Sequence, residues 1–133
     1  MLGESAPGSA KKVLIVEDNA LNLKLLNDIL EYRGYRILST TSGEAALELA
    51  VREMPDVILM DIQLPDVSGI EATRRLKANA KTKSIPIIAV TAFAMSGDQA
   101  AILASGCNEY ISKPFKVTEL LETVDRHAKQ EET

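Results

Sequence analysis

Five short apolar segments recur along the chain, separated by stretches in which apolar residues follow helical spacing. The apolar segments occupy residues 12–17, 35–40, 56–61, 86–91 and 108–112. The first, third and fourth are nearly continuous runs rich in Val, Ile and Leu, a pattern typical of strands buried on both faces. We therefore expect these three strands at the centre of a parallel sheet, and the two more polar strands at its edges.

Helical patterns fill the stretches between the strands. Asn19 and Ser42 suit the N-caps of the first and second helices, and Gly34 and Gly106 suit the ends of the first and fourth. The last three helices are expected at about residues 68–79, 96–105 and 117–128. The side chains expected to face the sheet, from their helical spacing, are Leu21, Leu25, Leu26, Ile29, Leu30, Ala46, Leu49, Ile70, Thr73, Leu76, Leu120, Leu121 and Val124.

A strand followed by a helix, repeated five times, predicts a doubly wound α/β fold with helices on both faces of the sheet. The length of 133 residues favours one domain. Residues 1–10, rich in Gly, Ser, Ala and Pro, are expected to form a flexible leader, residues 11–128 the domain, and residues 129–133 a short tail. The short leader and tail favour a whole protein over a fragment.

Composition narrows the class of protein. The net charge of −4 disfavours non-specific or direct DNA binding, which needs a basic surface, and is compatible with Mg²⁺ and with basic partner faces. Cys107 is the only cysteine, so no intramolecular disulfide can form. No segment approaches the roughly 18 apolar residues of a membrane span, and residues 1–10 do not read as a secretory signal. We therefore expect a cytoplasmic protein.

Polar residues stand where the predicted strands end. Glu17 and Asp18 end the first strand and Asp61 ends the third. In this fold class ligands bind at the carboxyl ends of the strands, where these side chains should meet. Three adjacent carboxylates repel one another unless a cation joins them, and without His or Cys ligands the cation should be one that prefers oxygen. Mg²⁺ fits, with the backbone carbonyl of Gln63 as a further ligand.

Two more strand ends add a hydroxyl and a positive charge to this set. Thr91 ends the fourth strand, and Lys113 follows the fifth. A metal, an ammonium and a hydroxyl together are suited to stabilising the oxygens of a transferring phosphoryl group. An aspartate carboxylate can be the nucleophile toward phosphorus. The sequence therefore predicts that Asp61 accepts a phosphoryl group.

The segments "VEDN", "LMDIQLPDVSG", "VTA" and "SKPF" resemble, in order and spacing, the receiver domain of two-component response regulators over about residues 11–128. The resemblance implies a flavodoxin-like (βα)5 sheet of order 2-1-3-4-5. It also implies that Glu17 and Asp18 bind Mg²⁺, that Asp61 is the phosphoacceptor, and that Lys113 binds phosphate and precedes a cis peptide bond to Pro114.

The same resemblance implies a switch and partners. Thr91 and Tyr110 would be the switch pair. Three residues near the site, Asn19, Asn22 and Leu23, would touch the phosphodonor, and the face of the fourth helix, fifth strand and fifth helix would meet an effector protein. The only histidine, His127, is far in sequence from the strand ends and is expected to act as a cation at a helix C-terminus. The phosphodonor would therefore be a histidine kinase, a histidine phosphotransfer protein or a small acyl phosphate.

Finer features are similar to single-domain cell-division regulators of the DivK type, through "NALNLKLLNDILE" and "VTAFAMSGD". That similarity implies a cell-cycle role and recruitment to a cell pole. Three alternatives remain: a receiver from a hybrid histidine kinase, an aspartyl phosphohydrolase and a flavin carrier. The phosphohydrolase needs a second carboxylate where Gln63 stands, and a flavin phosphate would be repelled by Glu17 and Asp18. Gln63 and Phe93 are expected to influence the phosphoryl lifetime.

Overall fold

The computed structural model describes residues 10–92 and 99–128, which form a five-stranded parallel sheet in the order β2-β1-β3-β4-β5. The strands are β1 (Lys12–Val16), β2 (Arg36–Thr40), β3 (Val57–Asp61), β4 (Ile87–Thr91) and β5 (Glu109–Ser112). The helices are α1 (Ala20–Arg33), α2 (Gly43–Glu53), α3 (Gly69–Ala78), α4 (Gln99–Ala104) and α5 (Val117–Ala128). The expected doubly wound fold and strand order are confirmed.

Burial along the strands follows their position in the sheet. All five residues of β3 and β4 are buried, as are the last four of β1, whereas β2 and β5 are partly exposed. The three continuous apolar segments are therefore central and the two more polar ones lie at the edges, as the sequence predicts. Each strand begins and ends within one residue of its expected boundaries. Glu17 lies immediately after β1 and not within it.

Side chains of the central strands alternate between two apolar clusters, one on each face of the sheet. One cluster contains Leu14 and Val16 with buried residues of α2, α3 and α4. The other contains Val13 and Ile15 with buried residues of α1 and α5. The sheet is thus covered on both faces, so its carboxyl edge is the place where functional side chains can reach solvent.

The apolar face of α1 differs from the expected one. Leu26 and Leu30 are buried, but Leu21 is 77% exposed and Leu25 is 49% exposed. Leu23 is half-buried and packs against the core cluster shared by α1 and α5. The buried stripe therefore runs through positions 23, 26 and 30, and the prediction that Leu21 and Leu25 face the sheet is wrong. Six leucine and isoleucine residues in the first eleven positions of α1 leave the helical phase ambiguous, and only docking against the sheet selects it.

Capping residues lie at the starts and ends of the helices largely as predicted. Asn19 and Ser42 accept hydrogen bonds from the amides of Asn22 and Ala45, and Gly34 adopts a left-handed conformation with φ +109°. Gly106 is also left-handed, just after α4, whose expected start at residue 96 lies outside the described residues.

Two residues of the loop before α3 bind helix N-termini. Ser68 caps α3, with its hydroxyl accepting from the Glu71 amide. The Asp66 carboxylate instead binds the N-terminus of α2. None of the helices in the described part of the chain is both long and apolar enough to cross a membrane.

Candidate functional site

A cleft of about 350 Å³ opens at the carboxyl edge of the sheet, where the loops after β1, β3 and β4 meet. Its lining is mostly polar and carries three carboxylates and one ammonium. The residues that line it are Glu17, Asp18, Asn19, Asn22, Asp61, Gln63, Ala92 and Lys113. The parallel strands cause this convergence, because their carboxyl ends all lie at the same edge.

The carboxylates of Glu17, Asp18 and Asp61 form one cluster, with an oxygen from each lying within 4.8 Å of the others. Glu17 is 1% exposed and Asp61 is 7% exposed, whereas Asp18 faces solvent. Glu17 is held from two sides: its amide donates to the carbonyl of Thr40, and its carboxylate accepts from the amide of Asn19. Two of the three acidic groups are thus fixed in a nearly water-free position.

Lys113 supplies the positive charge in the cluster. Its Nζ lies 3.2 Å from Glu17 Oε1 and 3.6 Å from Asp61 Oδ1. The Lys113 amide donates to the carbonyl of Thr91 at 2.8 Å, which ties the loop after β5 to the end of β4. The Lys113–Pro114 peptide bond is cis, as expected. One ammonium therefore faces three carboxylates, and negative charge remains in excess at the site.

That excess affects the protonation of Asp61. Burial and, after it, the Glu17 carboxylate raise the pKa of its carboxyl group to about 6, against the opposing effect of the Lys113 ammonium. The donors are all oxygens at a spacing that one ion can bridge, which fits a hard divalent cation such as Mg²⁺. Glu17, Asp18 and Asp61 are the side chains that would hold it.

The loop after β3 approaches the Asp61 backbone closely. The Gln63 amide donates to Asp61 Oδ1 at 3.3 Å, and the Gly69 amide donates to the Ile62 carbonyl at 2.8 Å. A Cβ atom at Gly69 would lie 2.1 Å from the Asp61 carbonyl oxygen and 2.7 Å from the Ile62 Cα. Only glycine allows this approach, which explains the glycine eight residues after the aspartate.

The residues expected to act as a switch lie on neighbouring strands. Thr91 is fully buried at the end of β4, in register with Ser112 of β5. Tyr110 is half-buried and packs against the cluster beneath α2, α3 and α4. Phe93, expected to flank the site, lies outside the described residues.

An apolar groove of about 400 Å³ adjoins the acidic cleft and shares four of its lining residues. The apolar part of its lining includes Leu25, Pro114 and Phe115. Of the residues expected to touch a phosphodonor, Asn19 and Asn22 line the cleft, while Leu23 lines neither space and packs on the core. Sequence reasoning missed the place of Leu25 in this groove, because it assigned that leucine to the buried stripe.

The two remaining reactive side chains lie away from the cleft. His127 is 7% exposed in the last turn of α5, with Nε2 at 2.8 Å from Glu109 Oε1, near the opposite edge of the sheet. Cys107 is buried, its thiol donates to the Ile102 carbonyl, and burial raises its pKa. Neither side chain reaches the acidic cluster.

Comparison with known proteins adds relatives in sequence and in structure. The chain is 54% identical over 114 residues to the polar-differentiation response regulator DivK of Brucella ovis, covering 86% of this chain and 93% of that protein. The receiver domain of a sensor histidine kinase from Pseudomonas aeruginosa, solved with magnesium coordinated in its active-site cleft, is 39% identical, with a TM-score of 0.85 over 90% of this chain and 98% of that one. A CheY-like receiver domain protein from Methanospirillum hungatei is 29% identical, with a TM-score of 0.85 over 93% of this chain and 98% of that one. The family match spans residues 13–125, and the chain therefore belongs to the response regulator receiver domain family.

Proposed function

We propose that the chain is a phosphorylation-controlled signalling module in which Asp61 accepts a phosphoryl group from a phosphohistidine of a partner protein. The observation that carries this proposal is the arrangement at the end of β3. There the buried Asp61 carboxylate lies beside a second buried carboxylate, Glu17, and within reach of the Lys113 ammonium. Two adjacent acids at the mouth of a polar cleft suit cation-assisted phosphoryl chemistry better than packing.

In this reaction a carboxylate oxygen of Asp61 attacks phosphorus as the bond from phosphorus to the donor nitrogen breaks. The electron pair of that bond stays on the imidazole nitrogen. Lys113 offers its ammonium to a phosphoryl oxygen, and the Thr91 hydroxyl offers a hydrogen bond to another. Mg²⁺, when bound by the three carboxylates and the Gln63 carbonyl, supplies positive charge toward the phosphoryl oxygens. Attack of water on phosphorus then breaks its bond to the carboxylate oxygen, which releases inorganic phosphate and returns the free carboxylate.

Signal output in this proposal is a change of protein contacts. When Thr91 turns toward the phosphoryl group it vacates space at the end of β4, and Tyr110 moves inward. The surface of α4, β5 and α5 would then change its affinity for an effector protein. The phosphodonor would be a histidine kinase or a histidine phosphotransfer protein that approaches over Asn19 and Asn22, which line the cleft.

Similarity to DivK supports a narrower role. We propose that the protein acts in cell-cycle or polar-differentiation control, in the cytoplasm, with recruitment to a pole by its partners. A second candidate, a general phosphohydrolase, has less support because the position two residues after Asp61 is Gln63, which cannot transfer a proton as an acid-base group.

The proposal is tested by incubating the protein with Mg²⁺ and acetyl phosphate and measuring its intact mass. We expect a labile gain of one phosphoryl group in the wild type and in Asp28→Asn, which alters an exposed carboxylate of α1. We expect no gain in Asp61→Asn or in the presence of EDTA. A wild-type protein that shows no gain, and no response to beryllofluoride, would contradict the proposal, and catalytic release of phosphate from many monoesters would favour the phosphohydrolase.

A further inference from the structure

The loop between β3 and α3, residues 62–68, carries the backbone that borders Asp61, and one of its side chains accepts three hydrogen bonds from a distant part of the chain. Asp66, which is exposed, accepts hydrogen bonds from the Ser42 hydroxyl at 2.7 Å, the Gly43 amide at 3.0 Å and the Glu44 amide at 3.1 Å. These partners are the first residues of α2 and its cap. One carboxylate thus joins the loop to a helix start more than twenty residues away in sequence.

Two side chains satisfy the amides at the start of α2. Ser42 caps the helix through its Oγ, which accepts from the Ala45 amide at 3.1 Å. Asp66 accepts from the Gly43 and Glu44 amides, and these bonds also bring the loop and α2 together. The contact is close, since a Cβ at Gly43 would lie 2.8 Å from the Val67 carbonyl oxygen. Hydrogen bonds from Ser42, Glu44, Gly43 and Val67 hold the pKa of Asp66 well below its usual range, so the carboxylate is charged at neutral pH.

The other connections of this region lead to the acidic cluster. At one end of the loop, the Gln63 amide donates to Asp61 Oδ1 and the Gly69 amide closes the loop onto Ile62. On the α2 side, the Ser42 amide donates to Thr40 Oγ1 at 3.3 Å, and the Thr40 carbonyl accepts from the Glu17 amide at 3.1 Å. A continuous set of contacts thus runs from Glu17 through the start of α2 and Asp66 to the loop beside Asp61.

We propose that Asp66 is a positioning residue: it holds loop 62–68 against α2, and thereby keeps the Gln63 backbone in place beside Asp61. The inference rests on the proposed function for its effect on phosphoryl transfer, but its structural part concerns the loop alone. Loss of the carboxylate removes the hydrogen bonds between the loop and α2 and leaves only the apolar packing of Leu64 and Val67 to hold the loop there. Misplacement of groups around a reacting carboxylate by about 1 Å lowers rates substantially.

The test compares three variants by amide hydrogen exchange and by phosphorylation rate. Asp66→Ala removes all three hydrogen bonds from the start of α2 to the carboxylate, and Asp66→Asn keeps one oxygen acceptor without the charge. Ser42→Ala removes the α2 cap and one of the three hydrogen bonds to Asp66 but leaves the two amide bonds, so it separates loss of the cap from loss of the carboxylate. All three are measured in full-length, metal-free protein for exchange, and with acetyl phosphate and Mg²⁺ for the rate.

For Asp66→Ala we expect the Gln63 and Gly69 amides to exchange at least about tenfold faster, while Leu59 in β3 changes only with global stability. The phosphorylation rate should fall by about fivefold to twentyfold, with Asp66→Asn intermediate. Ser42→Ala should speed exchange at Ala45 and leave Gln63, Gly69 and the phosphorylation rate within about twofold of wild type.

The proposal is overturned if Asp66→Ala speeds exchange only at the start of α2 and leaves the Gln63 and Gly69 amides unchanged. Asp66 would then be no more than a second cap. If Asp66→Ala does not fold, hydrogen exchange at the Gln63 and Gly69 amides of Asp66→Asn decides the question in the same way. If the wild type takes up no phosphoryl group, the proposed function fails, and the exchange measurement still decides whether Asp66 positions the loop.

Discussion

The sheet has an amino edge, where the strands begin, and a carboxyl edge, where they end, and both carry charged side chains. The charges are balanced at the amino edge and unbalanced at the carboxyl edge. At the amino edge, where the strands begin, Asp125 of α5 pairs with Arg33 and accepts a hydrogen bond from the Tyr35 hydroxyl. Glu109 accepts from both Arg126 and His127. Here each of these acids has a cation or a hydroxyl donor beside it.

At the carboxyl edge, three carboxylates share a single ammonium. Asp61 and Glu17 are both less than a tenth exposed, and they lie beside each other with Lys113 as their shared cation. Burial, together with the neighbouring Glu17 carboxylate, raises the pKa of Asp61. The amino edge is arranged for stability, whereas the carboxyl edge keeps a repulsion that a bound cation can relieve.

The largest difference between the edges should appear at their glycines. Gly69→Ala places a methyl group 2.1 Å from the Asp61 carbonyl oxygen, and we expect it to lower the free energy of unfolding by roughly 3 kcal/mol or more. Gly34 at the amino edge faces open space, so the cost of Gly34→Ala comes only from the left-handed backbone conformation that alanine would have to adopt. We expect the free energy of unfolding to fall by about 1–2 kcal/mol. Urea unfolding of both variants checks which of them loses more stability. Equal losses would mean that the start of α3 shifts at little cost to make room for the methyl group.

Removing the central charge should stabilise the metal-free protein. Asp61→Asn eliminates the repulsion with Glu17, and we expect a rise in the free energy of unfolding of roughly 1–3 kcal/mol at pH 7.5 with EDTA. Urea unfolding measures the change, and the isosteric Asp28→Asn on exposed α1 is the control. If Asp61→Asn is less stable than wild type, the attraction between Lys113 and Asp61 outweighs the repulsion. The two edges would then not differ as described.

Burial of the Asp61 charge, together with its repulsion from Glu17, predicts a pH dependence of stability. The pKa of Asp61 in the folded protein, about 6, lies above the ordinary value of 3.8, so the folded chain binds more protons between these values. The stabilisation is complete below pH 4 and disappears as pH rises through 6. The stability of wild type relative to Asp61→Asn should therefore fall between pH 4.5 and 7 in EDTA, by up to the roughly 1–3 kcal/mol expected for the substitution. Saturating Mg²⁺ should reduce the pH dependence of this difference in unfolding free energy. If the difference does not change with pH in the metal-free protein, the raised pKa of Asp61 is contradicted.

The smallest effect is expected at the amino edge and has the opposite sign. Asp125→Asn weakens the pairing with Arg33 and the bond from Tyr35, and should lower the free energy of unfolding by about 1 kcal/mol. It should leave the phosphorylation rate within about twofold of wild type, because α5 contacts the site only through the core. Stabilisation by Asp125→Asn would remove the distinction between the edges.

Sequence reasoning predicted the fold well because its signals are local. A continuous apolar run such as residues 57–60 has no solvent-facing side, and a parallel sheet covered by helices is the arrangement that buries it. The caps Asn19, Ser42 and Gly34 follow from the backbone groups that each helix end leaves unpaired. The phase of α1 could not be predicted, because its leucines are compatible with two faces and the neighbouring sheet selects one.

Sequence alone also determined which chemical groups the candidate site contains. Acids, a lysine and a threonine at successive strand ends must approach one another once the strands are parallel and adjacent, whatever the details of packing. Tertiary structure alone decided how they interact: that Glu17 and Asp61 are both buried beside one lysine, that Gly69 must lack a side chain, and that Asp66 reaches across to α2. Burial, backbone approach and contacts between distant residues depend on three-dimensional packing, which a pattern of residue types along the chain does not contain.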